Sequence, residues 1–414
     1  MKKHPFFWAG IIGNLFEHYD KFLFAFLAPF LAPLFFKSDS GLTALRSTFA
    51  IMCLSFLSRP LGALVFGRMG DRYGRKKALT FTLFGMTIVT FFMGFLPTYL
   101  QVGWAAPALL TLARFAQNFF AVGEVTGGAL LTLERCDPKK RGLFSGLYDC
   151  SSIAGILIAS LSVSLLAQFN LVETHWRLLY FAGASTALIG MGVRLFVKEE
   201  VQVQTTPHLP FYRILWKEKG LFFTLCLTVG FSHAIYDSAT TLMNGYLPFV
   251  SLSSQIEAAW SGTGVLLLDL LLLPVFGYLA MIFPYQKVIR FFLLLITVLA
   301  IPLFCFLDRA ALHTVLTVRI ALVVFGAGFA APVYVWAIEA VPRAHRYLLI
   351  SLSLAIGGKI FGMGGACTLG LSLYHWTGWA GIPGLYLSVL GLITYLAMCR
   401  LETAQQGKAL TVTP

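Results

Sequence analysis

The chain has 414 residues, of which 58% are hydrophobic and only 12% are charged. A soluble protein usually carries about 25% charged residues, so this composition excludes a soluble enzyme, a nucleic-acid reader and a disordered chain. Because one membrane span with its loop takes roughly 30–35 residues, the length fits a polytopic membrane protein with about twelve spans.

Hydropathy predicts these twelve apolar helices along the chain. Six of them precede a polar segment, at 8–36, 46–66, 78–97, 104–132, 143–168 and 176–197. The other six follow it, at 220–247, 259–283, 288–307, 311–337, 347–374 and 379–400. We therefore predict an all-α fold of two six-helix bundles. The predicted divisions are an N-terminal bundle (1–197), a cytoplasmic linker (198–219), a C-terminal bundle (220–400) and a cytoplasmic tail (401–414).

Lysine and arginine are distributed unequally between the two sets of loops. If both termini and the loops after even-numbered spans face the cytoplasm, that side carries 22 of the 31 basic residues and the other side four. The positive-inside rule then places both termini in the cytoplasm. The net charge of +13 reflects topology on this interpretation, and we expect no nucleic-acid partner.

Seven scattered cysteines form no pattern typical of a metal site or a disulfide framework. We expect them to be small apolar residues inside helices. The sequence therefore predicts no metal and no cofactor.

Two loops recur in the second half of the chain. The loop at 67–77 corresponds to 277–287 with an offset of 210, and Glu134–Arg141 resembles Glu339–Arg346 with an offset of 205. Two nearly equal offsets indicate an internal duplication.

The loop after the second span reads Gly-Arg-Met-Gly-Asp-Arg-Tyr-Gly-Arg-Lys-Lys from Gly67 to Lys77. Its glycines permit a tight turn between antiparallel helices, and Asp71 is suited to face a helix N-terminus. Its basic side chains can hold phosphates or carboxylates at the cytoplasmic face, although they also suit a plain positive-inside anchor. We predict a gating loop here, made of Gly67, Asp71, Arg72, Gly74, Arg75 and Lys76.

This loop resembles the signature loop of the major facilitator superfamily. Gly13-Asn14-Leu-Phe-Glu17-His-Tyr-Asp20 in the first span is similar to the opening motif of that superfamily's metabolite:H⁺ symporter family. The same resemblance extends to Arg59-Pro-Leu-Gly62, Arg114-Phe-Ala-Gln117, Gly123-Glu124, Trp176-Arg177 and Glu339-Ala-Val-Pro342. It implies the superfamily fold and a permease of the proline/betaine, α-ketoglutarate, citrate or shikimate type.

Three positions depart from the family pattern. Lys21 stands where the family usually has phenylalanine, and Asn118 replaces a glycine after the motif of the fourth span. The fifth span lacks the Gly-Pro signature of the superfamily's antiporters, which favours symport or uniport.

Eleven ionisable residues, histidine aside, lie at membrane depth in the predicted spans. Each costs about 2.5–3.5 kcal/mol at the centre of a helix, so we expect them to face a shared cavity or, alternatively, to form purely structural ion pairs. They are Glu17, Asp20, Glu124, Asp149, Asp237, Asp269, Lys21, Arg59, Arg114, Arg319 and Lys359.

The first span carries two of these carboxylates on one face. Glu17 and Asp20 are three residues apart, and two neighbouring carboxylates in a medium of low dielectric cannot both ionise cheaply. The pair is therefore suited to bind a proton, and Lys21 could neutralise one member. We predict that Arg114 lies near this pair and Glu124 near Tyr148 and Asp149. The predicted proton-coupling residues are Glu17, Asp20, Glu124, Asp149, His233 and Asp237.

The second half offers fewer candidates. His233 and Asp237 are four residues apart and suit either a proton relay or a structural pair. Lys359 lies among glycines near the middle of the eleventh span, and with Arg114 it is a candidate for binding a substrate carboxylate. The predicted substrate-binding residues are Asn14, Tyr19, Arg114, Gln117, Tyr236 and Lys359.

These patterns predict a proton-coupled symporter of the inner membrane, not an enzyme, that works by alternating access. The resemblance implies a small carboxylate-bearing metabolite or zwitterion as its solute. The predicted partners are that solute, protons and the lipid bilayer, and a monomer is sufficient. A uniporter or exchanger of the same fold is an alternative, and a transport-inactive sensor is a weaker one. The sequence identifies neither the solute nor the oligomeric state.

Overall fold

The computed structural model of the protein describes residues 5–36, 41–134, 136–195 and 211–410. Within these ranges the regular secondary structure is entirely helical. The first part contains α1 (Pro5–Phe35), α2 (Gly41–Tyr73), α3 (Arg75–Met93), α4 (Tyr99–Val102), α5 (Ala105–Leu133), α6 (Arg141–Gln168) and α7 (Val172–Leu195). The second contains α8 (Phe211–Lys217), α9 (Lys219–Asp237), α10 (Met243–Val250), α11 (Gln255–Ile282), α12 (Tyr285–Cys305), α13 (Leu312–Ala330), α14 (Val333–Ala340), α15 (Arg346–Gly357), α16 (Gly370–Thr377) and α17 (Ile382–Leu410).

Every predicted span coincides with a helix or with two helices in succession. Span 7 is α9 and α10 joined by a π-helical turn, Ser238–Leu242, and span 11 is α15 and α16 joined by the π-helical segment Gly358–Leu369. Span 10 divides into α13 and α14 before Val333, where Pro332 has no N–H to continue the first helix. In the described chain, seven helical stretches are long and apolar enough to cross a membrane.

Large apolar side chains lie exposed along the outer faces of these helices. Phe91 and Phe92 of α3 and Phe95 just after it, for example, are about half exposed or more. Such continuous apolar exposure suits contact with lipid, because helices satisfy all of their own backbone hydrogen bonds in a bilayer. The protein is a multi-pass membrane protein.

The predicted linker is only partly described. Residues 198–210 lie outside the described ranges, and Phe211–Lys217 forms the short helix α8. The predicted division into two halves stays a prediction.

The chain folds into two compact units. Unit 1 comprises Met1–Arg135, Ser151–Thr206 and Ala344–Ala355, and unit 2 comprises Cys136–Cys150, Pro207–Arg343 and Ile356–Pro414. The first turns of α6 therefore belong to unit 2, and most of α15 belongs to unit 1.

Unit 1 is built around α5, which packs against α1, α2 and α3. Its apolar core includes Leu23, Phe24 and Leu27 of α1 and Trp176 of α7, and the ring of Phe35 meets that of Trp176 edge to face at 5.8 Å. In unit 2, α12 packs against α17, and α9 packs against the π-helical segment 358–369.

A glycine allows α2 to approach α5 closely in unit 1. A Cβ atom added to Gly62 would overlap the carbonyl oxygen of Phe119, and backbone cannot move aside as a flexible side chain can. We expect Gly62→Ala to lower the free energy of unfolding by about 1–3 kcal/mol, the usual effect of overpacking.

Thermal unfolding of the purified protein measures this effect. Gly220→Ala is the matched control, because a Cβ atom at Gly220 would meet no heavy atom within 4 Å and alanine favours a helix by about 1 kcal/mol. Equal melting temperatures for the two variants would contradict the prediction.

Candidate functional site

Glu17 of α1 lies in a charge-compensated network inside unit 1. Its side chain is fully shielded, with Oε1 3.4 Å from Nη2 of Arg59 and Oε2 2.7 Å from Nδ1 of His18. Arg59 of α2 also donates from Nε to Oδ1 of Asn118 at 3.2 Å. The buried glutamate therefore has a guanidinium directly against it, and such compensation stabilises the ionised form of a carboxylate.

Asp20, one helical turn further along α1, has a different environment. Only 1% of it is exposed, and its Oδ2 accepts a hydrogen bond from the hydroxyl of Thr90 at 2.9 Å. The Thr90 oxygen in turn accepts from Nε2 of Gln117 at 3.1 Å, and the Gln117 oxygen accepts from Nη1 of Arg114. Asp20 and Arg114 are thus joined through two neutral side chains.

Two atoms of this second network remain available. Oδ1 of Asp20 and Nε of Arg114 are buried and have no hydrogen-bond partner among the described residues. The Arg114 guanidinium stacks on Phe24, 4.1 Å from the centre of its ring. A cation and a carboxylate with spare hydrogen-bonding capacity on each can bind a proton and an anionic group.

The remaining predicted residues of α1 contact other helices of unit 1. Asn14 donates from Nδ2 to the hydroxyls of Ser151 and Ser152 at 2.8 and 2.7 Å, which links α1 to α6. Tyr19 donates to the carbonyl of Leu179 on α7 at 3.2 Å. The structure therefore brings Asn14, Tyr19, Arg114 and Gln117 together with Glu17 and Asp20 in unit 1.

The predicted residues of the second half cluster where α9 meets the segment 358–369. The carboxylate of Asp237 lies against Gly362, where an added Cβ would be 2.7 Å from Oδ2, and the His233 ring lies against Gly358. Nδ1 of His233 is 3.0 Å from the carbonyl of Val229. Gly362, three residues after Lys359 in the same segment, has non-helical backbone angles (φ −76°, ψ −109°). The cluster therefore lies beside irregular backbone, which membrane proteins tolerate mainly where it lines a cavity or is buried in protein.

Other predicted positions fall elsewhere. The side chain of Glu124 lies outside the described part of the chain, so its predicted approach to Asp149 stays a prediction. Asp149 interacts electrostatically with Asp269 of α11, as Tyr236 also does.

The loop between α2 and α3 contacts the start of α15. The carboxylate of Asp71 accepts hydrogen bonds from the backbone N–H groups of Tyr347 and Leu348, at 3.2 and 3.1 Å. These groups have no partner within their own helix, because the first N–H groups of any helix lack one. Asp71 is a helix cap supplied from a distant part of the sequence, as its predicted role requires.

The other residues of the predicted gating loop are described in part. Gly74 adopts φ +95° between the two helices, a region that favours glycine. A Cβ at Gly67 would lie 2.9 Å from the Cα atom of Leu348. Arg72 is exposed, and the side chains of Arg75 and Lys76 lie outside the described part.

We expect Asp71→Ala to lower the free energy of unfolding by about 1 kcal/mol, within the usual 0.5–2 kcal/mol for a lost cap. Asp137→Ala is the matched control, because Asp137 caps an exposed 3₁₀ turn of three residues. Thermal unfolding in detergent compares the two variants. A loss at Asp137 as large as the loss at Asp71 would contradict the role of Asp71 in holding α15.

Two ion pairs are related by the internal repeat. Arg346 pairs with Glu134 at 2.6 Å in unit 1, and Arg141 pairs with Glu339 at 3.3 Å in unit 2. The two glutamates are 205 residues apart in the sequence, and so are the two arginines. Each pair therefore joins a glutamate from one copy of the repeat to an arginine from the other.

Sequence reasoning missed several residues of these networks. Thr90 carries no charge and belongs to no motif, and His18 and Asn118 gave no sign of their contacts with Glu17 and Arg59.

Residues 11–253 match the sequence model of the Major Facilitator Superfamily. The chain is 27% identical to the proline/betaine transporter of Salmonella typhimurium, over 94% of this chain and 82% of that protein. It is 28% identical to a putative proline/betaine transporter of Staphylococcus aureus (strain MSSA476), over 96% of this chain and 88% of the other.

Solved structures show the same fold. A proton:xylose symporter bound to 6-bromo-6-deoxy-D-glucose superposes with a TM-score of 0.77 at 15% identity, covering 96% of this chain and 95% of the other. The Escherichia coli fucose:proton symporter superposes with a TM-score of 0.72 at 13% identity, covering 95% and 98%. The predicted fold class, an all-α multi-pass membrane protein with the fold of this superfamily, is confirmed.

Proposed function

Because this chain belongs to the Major Facilitator Superfamily, whose members are transporters and not enzymes, we propose that it is a proton-coupled symporter. It imports a small carboxylate-bearing solute, a zwitterion or an organic acid, across the inner membrane of a bacterium. Both termini face the cytoplasm, as the distribution of basic residues supports.

The observation that carries this proposal is the environment of Asp20. A carboxylate that is 1% exposed and has a neutral hydroxyl as its direct hydrogen-bond partner is far less stabilised as an anion than one beside a guanidinium. Glu17 has such a guanidinium in Arg59. Asp20 is therefore the proton carrier of the pair, and Glu17 stays ionised as a structural anion.

Arg114 connects the proton to the solute. When Asp20 is ionised, the hydrogen bonds through Thr90 and Gln117 connect its carboxylate to the Arg114 guanidinium. The negative charge of Asp20 then lowers the positive potential at Arg114. Protonation of Asp20 removes that negative charge and leaves Arg114 with more positive potential for a solute carboxylate. Binding of the proton and binding of the solute are then mutually favourable, as symport requires.

The substrate class is supported by two lines of reasoning. Several relatives are named proline/betaine transporters, and both of those solutes carry a carboxylate. Arg114 in unit 1 is a basic side chain suited to hold it. His233 and Asp237 are assigned to the same transport cycle as a second ionisable pair.

Alternating access requires the cytoplasmic contacts to break and reform. The Asp71 cap on α15 and the pairs Arg346–Glu134 and Arg141–Glu339 stabilise the described state. We assign these contacts to the cytoplasmic gate.

Uptake into membrane vesicles under an imposed pH gradient tests the proposal. Labelled proline is the tracer, and glycine betaine, α-ketoglutarate, citrate and shikimate are the competitors. Accumulation that is abolished by a protonophore and inhibited by at least one competitor is expected. Accumulation that survives collapse of the gradient would instead indicate a uniporter or an exchanger, and absence of uptake of all five would overturn the substrate class.

A further inference from the structure

Helices α6 and α11 approach closely within unit 2. An added Cβ at Gly142 would lie 2.7 Å from the carbonyl oxygen of Gly277, and one at Gly146 would overlap the carbonyl of Leu273. One turn further along, Sγ of Cys150 lies 3.3 Å from the carbonyl of Leu270. The two helices therefore run antiparallel to each other. Their contact includes Cys150 and Leu270, which directly follow Asp149 and Asp269.

These two aspartates interact with each other across the contact. Asp149 precedes Cys150 on α6 and Asp269 precedes Leu270 on α11, so the 3.3 Å contact between Cys150 and Leu270 places the two aspartates at adjoining positions. The Asp269 carboxylate acts electrostatically on Asp149. Asp269 is 93% buried, because only 7% of it is exposed. Neither aspartate makes a hydrogen bond or an ion pair with any residue in the described ranges, in contrast to Glu17 and Asp20.

In the part of the chain that the structure describes, the groups around the two aspartates include no positive charge. Among the described residues, the titratable groups that interact with Asp269 are Asp149 and Cys150 on α6 and Tyr236 on α9, none of which is a cation. On α13, Arg319 donates to the Ala258 carbonyl at 2.9 Å and to Ser261 at 2.8 Å. Ser261 precedes Asp269 by eight residues, or about 12 Å along the helix axis.

We propose that Asp149 and Asp269 form a second proton-binding site, in which a proton shared between the two carboxyl groups holds the start of α6 against α11. Two ionised carboxylates at this contact would repel each other with no counterion among the described residues, and the burial of Asp269 makes its uncompensated charge costly. One bound proton removes half of that charge and creates an O–H donor for the other carboxylate. Loss of the proton separates the two helices.

The site is distinct from Asp20 and does not depend on Asp20 carrying the transported proton. Its consequence is that closure of the α6–α11 contact follows pH. Low pH favours the closed contact, and high pH favours separation, because the pair must lose its shared proton before it repels. Proton binding at the α6–α11 contact would then act in addition to proton binding at Asp20.

Infrared spectroscopy of the reconstituted protein detects the proton directly. The carbonyl-stretch band of a protonated carboxyl group is expected at neutral pH in the unaltered protein and is lost as the pH rises. In the double variant Asp149→Asn/Asp269→Asn one such component should disappear, whereas Asp20→Asn should leave that component in place. Asparagine is isosteric with protonated aspartate, so the double variant should fold. Identical spectra for the unaltered protein and the double variant throughout the titration would overturn the proposal.

Cross-linking measures the conformational consequence. A variant keeps Cys150, carries Leu270→Cys, and has the other six cysteines replaced by serine. A second variant keeps Cys305 and carries Gly381→Cys, where an added Cβ would lie 2.8 Å from Sγ of Cys305; it corrects for the pH dependence of thiol chemistry. The ratio of the two oxidation rates should fall as the pH rises, and it should stay constant when both aspartates are asparagine. A ratio with the same pH dependence in both backgrounds would overturn the conformational part.

Discussion

Asp20→Asn is expected to abolish solute accumulation driven by a pH gradient while leaving exchange of solute down its own gradient intact. A gradient of two pH units stores about 2.7 kcal/mol per proton, because each unit corresponds to 1.36 kcal/mol. One coupled proton can therefore support about 100-fold accumulation of a neutral solute. Asparagine keeps the hydrogen bond with Thr90 but binds no proton, so this 100-fold ratio should fall to about 1.

Vesicle uptake and counterflow separate the two activities. Uptake under an imposed pH gradient reports coupling, and counterflow in preloaded vesicles reports solute binding and movement. Asp137→Asn, in an exposed loop, is the matched control and should accumulate solute normally. Uphill uptake that survives both Asp20→Asn and Glu17→Gln would show that the proton site lies elsewhere.

Arg59→Met is expected to lower the free energy of unfolding by about 3–5 kcal/mol, the usual result of leaving one buried charge without its partner. Glu17 is 1% exposed and Arg59 6% exposed, so water cannot replace the lost guanidinium. The double variant Glu17→Gln/Arg59→Met removes both charges and should recover most of the loss. The physical reason is that the isolated anion, and not the missing attraction, dominates the effect.

Thermal unfolding of the two single variants and the double variant forms a double-mutant cycle. Arg213→Met, on the exposed face of α8, is the control and should change the free energy of unfolding by less than about 0.5 kcal/mol. If the double variant loses as much free energy of unfolding as the two single variants together, Glu17 and Arg59 do not act as a pair.

The position of Asp71 was predictable because its motif is local. Gly67–Lys77 contains both the glycines for the turn and the carboxylate for the cap. The helix that Asp71 caps begins 275 residues later, at Arg346, and the sequence contains no signal that connects the two. The motif predicted a helix N-terminus as the partner, and the structure identified which one.

For the internal repeat, too, the sequence predicted one part of the arrangement and the structure decided the other. The offset of 205 predicted that Glu134 and Glu339 are equivalent, and Arg141 and Arg346 likewise. A duplication is equally consistent with each glutamate pairing inside its own copy, since the two residues are only seven positions apart. Only the folded chain decided that each pair joins the two copies.

The amino-acid sequence by itself determined the spans, the lipid-facing character and the shared face of Glu17 and Asp20. All three follow from local rules, because a bilayer requires about 20 apolar residues per helix and residues three apart lie on one side of it. The tertiary structure decided which charge each carboxylate meets. Arg59 neutralises Glu17, Thr90 holds Asp20, and Asp269 faces Asp149. These partners come from other helices, 42 to 120 residues away, and helix packing rather than spacing along the chain sets the local dielectric and counterions that govern where a proton binds.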